Sequence, residues 1–263
     1  MDRQAFFKQY AQDRREQDIP GFTREVFPHL VRFLGHTVDG EGGLVSYTTL
    51  TEGQELAQIK AELDYFRQTG SPFEWKVYEL DTPANLKELL LARGFVQDEE
   101  EAFLVFRLGQ EHGKTLPPQR ALNSNVRIER VVDEAGLRDI VAVQAAVWQD
   151  HQFDWLLPQL LDTLQNHPQQ LSVYCAYIGA RPVGCGWTSF LPGSRIPELH
   201  GGSVLEEFRG QGIYSALYRI RFDELRERGY EYVTVDAAPM SRPILERIGF
   251  ELVCKTWPMR MKF

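Results

Sequence analysis

Two glycine-bounded stretches follow one plan in the two halves of this 263-residue chain. In the second half GIYSALYRIRFDELRERG runs from Gly212 to Gly229, and in the first GQELAQIKAELDYFRQTG covers the same seventeen steps from Gly53 to Gly70. Ile213, Leu217, Ile220 and Leu225 fall near helical spacing, and a glycine is the usual stop for such a helix. The residues beyond each stretch match as well. YEYVTVDAAPMSRPILERIGF closes at Phe250 and FEWKVYELDTPANLKELLLARGF at Phe95, each reading as strand, polar break, short helix and Gly-Phe. A helix-strand-helix unit therefore occurs twice, as a duplication or as the coincidence any two α/β units would show, and the first half reads as the shorter copy.

A chain of this length exceeds one compact core, and its clearest break in composition is GQEHGKTLPPQRALNSN, residues 109 to 125. The expected division is a first domain over 1–112, a linker over 113–124 and a second domain over 125–263. Downstream of the linker the order is strand (NVRIERVV), helix with Asp133 as N-cap (DEAGLRDIVAVQAAVW), and a second helix (WLLPQLLDTLQNH). Next come a hairpin turning near Gly179 to Pro182, the strand PELHGGSV, the long helix, another strand, a short helix and a last strand, FELVCKTWPMRMKF. That order predicts an α/β (α+β mixed sheet) fold with helices on both faces of the sheet.

A hydrophobic fraction of 43% supports packed cores, and no run of about 18 apolar residues could span a bilayer. The net charge of -8 gives no global positive field, so neither nucleic acid nor a membrane is an expected partner. The segment MDRQAFFKQYAQDRREQD is amphipathic and charged, without the apolar core of a secretory signal, so a soluble, cytoplasmic protein is expected. Cys175, Cys185 and Cys254 form no C-x-x-C pair and lie in apolar surroundings, which predicts buried thiols and no metal site.

The chemistry concentrates in SVLEEFRGQGIYSALYRIR, residues 203 to 221. A strand that feeds a glycine-rich turn opening a helix sets unpaired backbone N–H groups at the positive end of the helix dipole, a place for a phosphate. Gly210 and Gly212 let the backbone curl into a nest of amides, and Arg209 either adds a charge or anchors the turn to the sheet. The nucleotide motif G-x-x-x-x-G-K-[ST] is absent. The dinucleotide fingerprint is met in part: GQGIYS holds two of three glycines and Asp236 ends the next strand, but Ser215 stands for the third glycine and LEEFR separates strand from turn. In the first copy Leu50 stands where Arg209 does, with Glu52 beside Gly53, so an anion site there is expected to be lost.

Arg209-Gly210-Gln211-Gly212-Ile213-Tyr214 resembles the acyl-CoA-binding segment of the GNAT superfamily of N-acetyltransferases, [RQ]-x-x-G-x-[GA] after a central strand, with Tyr214 departing from the small final residue. The element order from Val126 onward and the ILERIGF closure are also similar to that family, and the first half looks like a degenerate unit of a tandem member. The resemblance implies acetyl-CoA as cosubstrate and a small-molecule or peptide amine as acceptor. It implies a central strand splayed from its neighbour, with Gly202, Ser203 and Val204 offering backbone to pantetheine and the amides of Gly210 to Tyr214 holding the pyrophosphate. The adjacent glycines 201 and 202 mark a bulge or a close backbone approach on their own account. Acyl transfer to an amine needs a base, for which Glu198, His200 and Asp236 are the candidates, and often an acid for the leaving thiolate. The family's usual tyrosine acid falls on Leu245, which cannot serve; Tyr214, Ser241 or water would have to. Trp148, His151, Trp155 and Trp187 either line an acceptor pocket or belong to the core. Beside the transferase stand two other readings, a non-catalytic acyl-CoA-binding or sensing module and a dinucleotide-dependent enzyme.

Overall fold

The computed structural model describes residues 1–35, 42–109, 122–149, 153 and 155–263. Its first half runs α1 (Arg3–Arg15), β1 (Phe22–Phe27), β2 (Leu30–Gly35), β3 (Gly43–Ser46), α2 (Glu55–Thr69), β4 (Phe73–Tyr78), α3 (Leu86–Leu91), β5 (Val96–Gln97) and β6 (Glu101–Arg107). The second runs β7 (Val126–Val131), α4 (Glu134–Trp148), α5 (Leu156–Asn166), β8 (Leu171–Ile178), β9 (Arg181–Ser189), β10 (Glu198–Val204), α6 (Ile213–Glu227), β11 (Tyr232–Ala237), α7 (Arg242–Ile248) and β12 (Glu251–Met261). None of the described helices is long and apolar enough to cross a membrane.

The chain forms two compact units, Met1–Leu104 with Asp236–Ile244 and Leu252–Phe263, and Val105–Val235 with Leu245–Glu251. In the first unit β1, β2 and β3 are antiparallel in turn, β3 runs parallel to β4, and β4 pairs antiparallel with β12 from Tyr78↔Thr256 to Phe73↔Met261. Ile59, Leu63 and Phe66 recur at i, i+4 and i+7 on α2, so the helix buries one face on Phe73, Trp75 and Val77 of β4. Gly70, left-handed at φ 66°, ends α2.

In the second unit β7, β8, β9 and β10 form an antiparallel meander, and β10 then runs parallel to β11. The period-two alternation of β8 separates two cores: Leu171, Val173 and Cys175 pack with α4 and α5, while Tyr174 and Ala176 pack with Ile213 and Leu217 of α6. Helices thus cover both faces. Asp133 caps α4 as expected, its Oδ1 accepting from the Gly136 N–H at 2.9 Å. All three cysteines are free and buried.

The first unit takes in nearly all of β12, and the second takes in the end of β6. The expected 125–263 segment gives up 236–244 and 252–263 to the first unit, where β12 is the partner of β4. In return, the end of β6 belongs to the second unit: Phe106 stacks on Phe222 at 4.7 Å and lies 5.3 Å from Phe250, and the Leu108 N–H donates to the Glu231 carbonyl.

Candidate active site

The site starts from a defect in β10. Across from β9 the register runs His200↔Trp187 and then Ser203↔Cys185, so Gly201 and Gly202 both oppose Gly186. That extra residue is a β-bulge, the irregularity the glycine pair implied. Gly201 is left-handed at φ 58°, and a Cβ there would stand 1.8 Å from a ring carbon of Trp187. Only glycine fits. On its other side β10 is in register with β11 at Glu198↔Thr234, ahead of the bulge. From Leu199 onward β10 therefore leaves its parallel neighbour.

Beyond β10 the chain makes a short 3-10 turn, Glu206–Phe208, and reaches the glycine turn. Gly210 and Gly212 adopt φ 77° and 79°, a curl that side chains resist. Gly212 is the N-cap of α6 and no side chain caps the helix, whose first N–H groups lack intrahelical acceptors by geometry. Of the two roles open to Arg209, the structure displays the anchor: its Nε donates to the Val204 carbonyl at 3.2 Å. Asn123, at the end of the expected linker, braces the turn by donating from Nδ2 to the Gln211 Oε1 at 2.9 Å.

Glu198 and His200 lie two apart on β10, with the His200 Nε2 3.7 Å from the Glu198 Oε2 and the imidazole 38% exposed. The His200 ring stacks on Trp187, centroids 6.0 Å apart. Asp236 is placed differently. It belongs to the first unit, where its Oδ2 accepts from the Lys76 Nζ at 2.6 Å. Burial works against the Lys76 ammonium, but Asp236, Glu101 and Glu74 outweigh it and hold the group protonated well above the usual lysine range. A carboxylate held in that pair is a poor proton acceptor.

Leu245 is fully buried in α7, so no hydroxyl occupies that position. The Ser241 Oγ donates to the Ala238 carbonyl at 3.0 Å. Tyr214 and Tyr218 meet at 3.4 Å through their hydroxyls, and burial pushes the Tyr214 phenol up. Both rings flank the bulge: a Cβ on Gly202 would lie 3.4 Å from the Tyr218 hydroxyl and 3.5 Å from the Tyr214 ring. Trp155 packs with the α4–α5 core and Trp148 is 44% exposed, while Trp187 alone of the named tryptophans touches the bulge. His151 lies outside the described residues.

Two residues at the bulge carried no signal in the sequence. Gln144 of α4, buried, donates from Nε2 to the Gly201 carbonyl at 2.6 Å and contacts the Cys185 sulfur at 3.1 Å, while the Ser203 hydroxyl donates to its Oε1. Arg221 of α6, 1% exposed, donates from Nη1 to the Trp187 and His200 carbonyls at 3.3 and 3.4 Å and from Nε to the Leu217 carbonyl. Its guanidinium lies against Gly186, where a Cβ would be 2.9 Å away.

The first unit builds the same elements without the opening. β3 and β4 stay in register over three pairs, and beyond them the Trp75 indole donates to the Thr48 hydroxyl at 2.9 Å. The Asp81 carboxylate accepts from the Thr48 and Tyr78 N–H groups. Before α2, the Gln58 side chain reaches back to the Thr51 N–H and takes the place a ligand oxygen would need.

The acetyltransferase (GNAT) family model matches residues 140–250. Among solved structures, a GCN5-related N-acetyltransferase from Kribbella flavida superposes with a TM-score of 0.71 at 13% identity, over 99% of this chain and 95% of that one. A GCN5-related N-acetyltransferase from Sphaerobacter thermophilus gives 0.63 at 13% identity, over 89% and 76%. A tandem GNAT protein from the clavulanic acid biosynthesis pathway gives 0.63 at 11% identity, over 94% and 85%. No curated protein matches the sequence. At these identities the solved structures show the fold, a GNAT fold along nearly the whole chain, and within it residues 140–250 match the acetyltransferase (GNAT) family model.

Proposed function

We propose that this protein is an acetyl-CoA-dependent N-acetyltransferase with one active site per chain, in the second unit, acting on a primary amine of a small molecule or peptide. The observation that carries the reading is the pairing of a bulged strand departing from its parallel neighbour with an uncapped glycine turn at its end. In this reading pantetheine extends along Gly202, Ser203 and Val204. The pyrophosphate rests on the amides of Gly210, Gln211, Gly212, Ile213 and Tyr214, and Arg209 fixes the turn.

Glu198 and His200 form the proton-accepting pair. The ammonium of the acceptor gives up a proton to them, the amine nitrogen attacks the thioester carbon, and the C–S bond breaks to leave the CoA thiolate as the nitrogen releases its second proton, which matches the one the thiolate takes up. With leucine at 245, the proton for that thiolate comes from the Tyr214 hydroxyl, whose ring flanks the bulge at Gly202. The same leucine favours a second reading, an acyl-CoA-binding protein without turnover.

Calorimetric titration with acetyl-CoA, with NADH as control, tests the binding. One-to-one saturation that is lost in Gly212→Asp supports the cradle, because the carboxylate opposes the phosphates. Unchanged affinity in that variant, or no binding by the folded protein, refutes it. Turnover with an amine panel separates the enzyme from the binding module.

A further inference from the structure

We infer that Arg221 and Gln144 are positioning residues that hold and polarise two consecutive peptides of the β10 bulge as a receptor for the thioester oxygen. The inference rests on the proposed transferase reading. Arg221 donates to the His200 carbonyl and Gln144 to the Gly201 carbonyl, the oxygens of the His200–Gly201 and Gly201–Gly202 peptides. A trans peptide is planar with its C=O and N–H opposed, so fixing each carbonyl also fixes the N–H of Gly201 and of Gly202. The β9 register pairs neither glycine. A hydrogen bond at the carbonyl end, charge-assisted from Arg221, draws electron density from the amide and makes its N–H a stronger donor. Donors fixed before the reaction are what stabilises an oxygen that gains negative charge as the amine attacks.

The matching positions of the two glycine-bounded helices point independently to a task for Arg221. Glu62 stands nine residues after Gly53, as Arg221 stands nine after Gly212, so the two occupy one position of the repeated helix. In the first unit that position is electrically balanced: Glu62 accepts from the Arg32 Nε at 2.8 Å and Nη2 at 2.9 Å. In the second, among the described residues, Arg221 has no ion-pair partner and its Nη2 has no hydrogen-bond partner. Burying a cation without a counter-charge is costly. The copy with the closed strand pair neutralises this position, and the copy with the bulge keeps a net positive charge against it.

The test uses the full chain and acetyl-CoA with an isotope-labelled acetyl carbonyl. The infrared stretch of the bound carbonyl reports the strength of its hydrogen bonds, and calorimetry reports affinity. Arg221→Met and Gln144→Met remove the donors at similar side-chain volume, and Arg221→Lys keeps the charge. In the wild type the bound stretch lies below that of free acetyl-CoA. In both methionine variants it moves back toward the free value with binding retained, and Arg221→Lys recovers part of the shift. A stretch that stays at the wild-type frequency in Gln144→Met, or in Arg221→Met where that variant folds, overturns the positioning role while leaving the transferase reading intact. A wild type that does not bind acetyl-CoA removes both.

Discussion

Replacing Gly201 by alanine sets the geometry of the bulge against measurement. At φ 58° an L-residue costs about 1 kcal/mol through contact of its Cβ with the backbone. The steric clash costs more. Three ring carbons of Trp187 would lie 1.8, 2.3 and 2.4 Å from the new methyl, whereas carbon atoms rest about 3.5 to 4.0 Å apart. The indole must therefore move by well over an ångström against the core it packs on, an overpacking cost of about 1–3 kcal/mol. The lower entropy of the unfolded alanine chain returns about 0.5 kcal/mol. The net loss is about 2.5 kcal/mol. Two units in one chain make a single unfolding free energy ill-defined, so hydrogen exchange over the β9 and β10 peptides is the suitable readout. Gly202→Ala is the control: its methyl would meet Tyr218 and Tyr214 atoms at 3.4 to 3.6 Å, ordinary contact, and exchange should remain near wild type. Adding Trp187→Ala to Gly201→Ala should relieve the steric part and leave the backbone part, a coupling of about 2 kcal/mol. Losses that simply add, or a Gly201→Ala protein as protected as the wild type, would refute the placement of the ring over the bulge.

Gly53→Asp should leave acetyl-CoA binding and its stoichiometry untouched, because the turn before α2 is already closed by Gln58; a lower stoichiometry would place a second site in the first unit. Burial pushes the Asp81 carboxyl up to about 8 against the pull of the Tyr78 and Thr48 N–H groups. The folded state thus holds a proton the unfolded chain releases near its ordinary carboxylate value, so this group's stabilisation is complete below about pH 4 and lost as pH rises through about 8. The wild-type urea midpoint should fall over that window relative to Asp81→Asn, and parallel pH profiles would contradict it. Burial likewise pushes the Cys175 and Cys185 thiols up to about 12, so alkylation at pH 8 should be negligible in the native protein and reach three thiols in denaturant; rapid native labelling would show that these side chains are accessible. Glu62→Gln should cost about 3 kcal/mol by stranding the buried Arg32, and a near-neutral change would mean that Glu25 alone suffices.

The glycine turn, the bulge and the repeated helix were legible because each depends on local chain conformation, which glycine and hydrophobic spacing encode. The Gly201-Gly202 pair announced the bulge, but the reason for glycine at 201, the ring of Trp187, comes from a neighbouring strand. Arg221 was hidden for a similar reason. An arginine on an amphipathic helix ordinarily faces water, and the side-chain-free Gly186 that admits it is thirty-five positions away. Asp236 looked available because its partner, Lys76, lies in the other half of the sequence. The passage of β12 into the first unit left no trace at all. EAFLVFR and ELVCKTWPMRM are both apolar strands after a Gly-Phe closure, and nothing in either fixes which half it will join.

That passage has a consequence for the order of events during synthesis. By the time Gly109 leaves the ribosome, α1, α2 and α3 have been made. Its sheet has not, since β4 still lacks the antiparallel partner that arrives only with residues 256 to 261. An exposed strand edge is a template for pairing with other chains, so the nascent first half needs shelter for the whole translation of the second. The protein consequently cannot mature one half at a time, and an arrest before Met261 should yield an aggregation-prone nascent chain in place of a finished N-terminal domain.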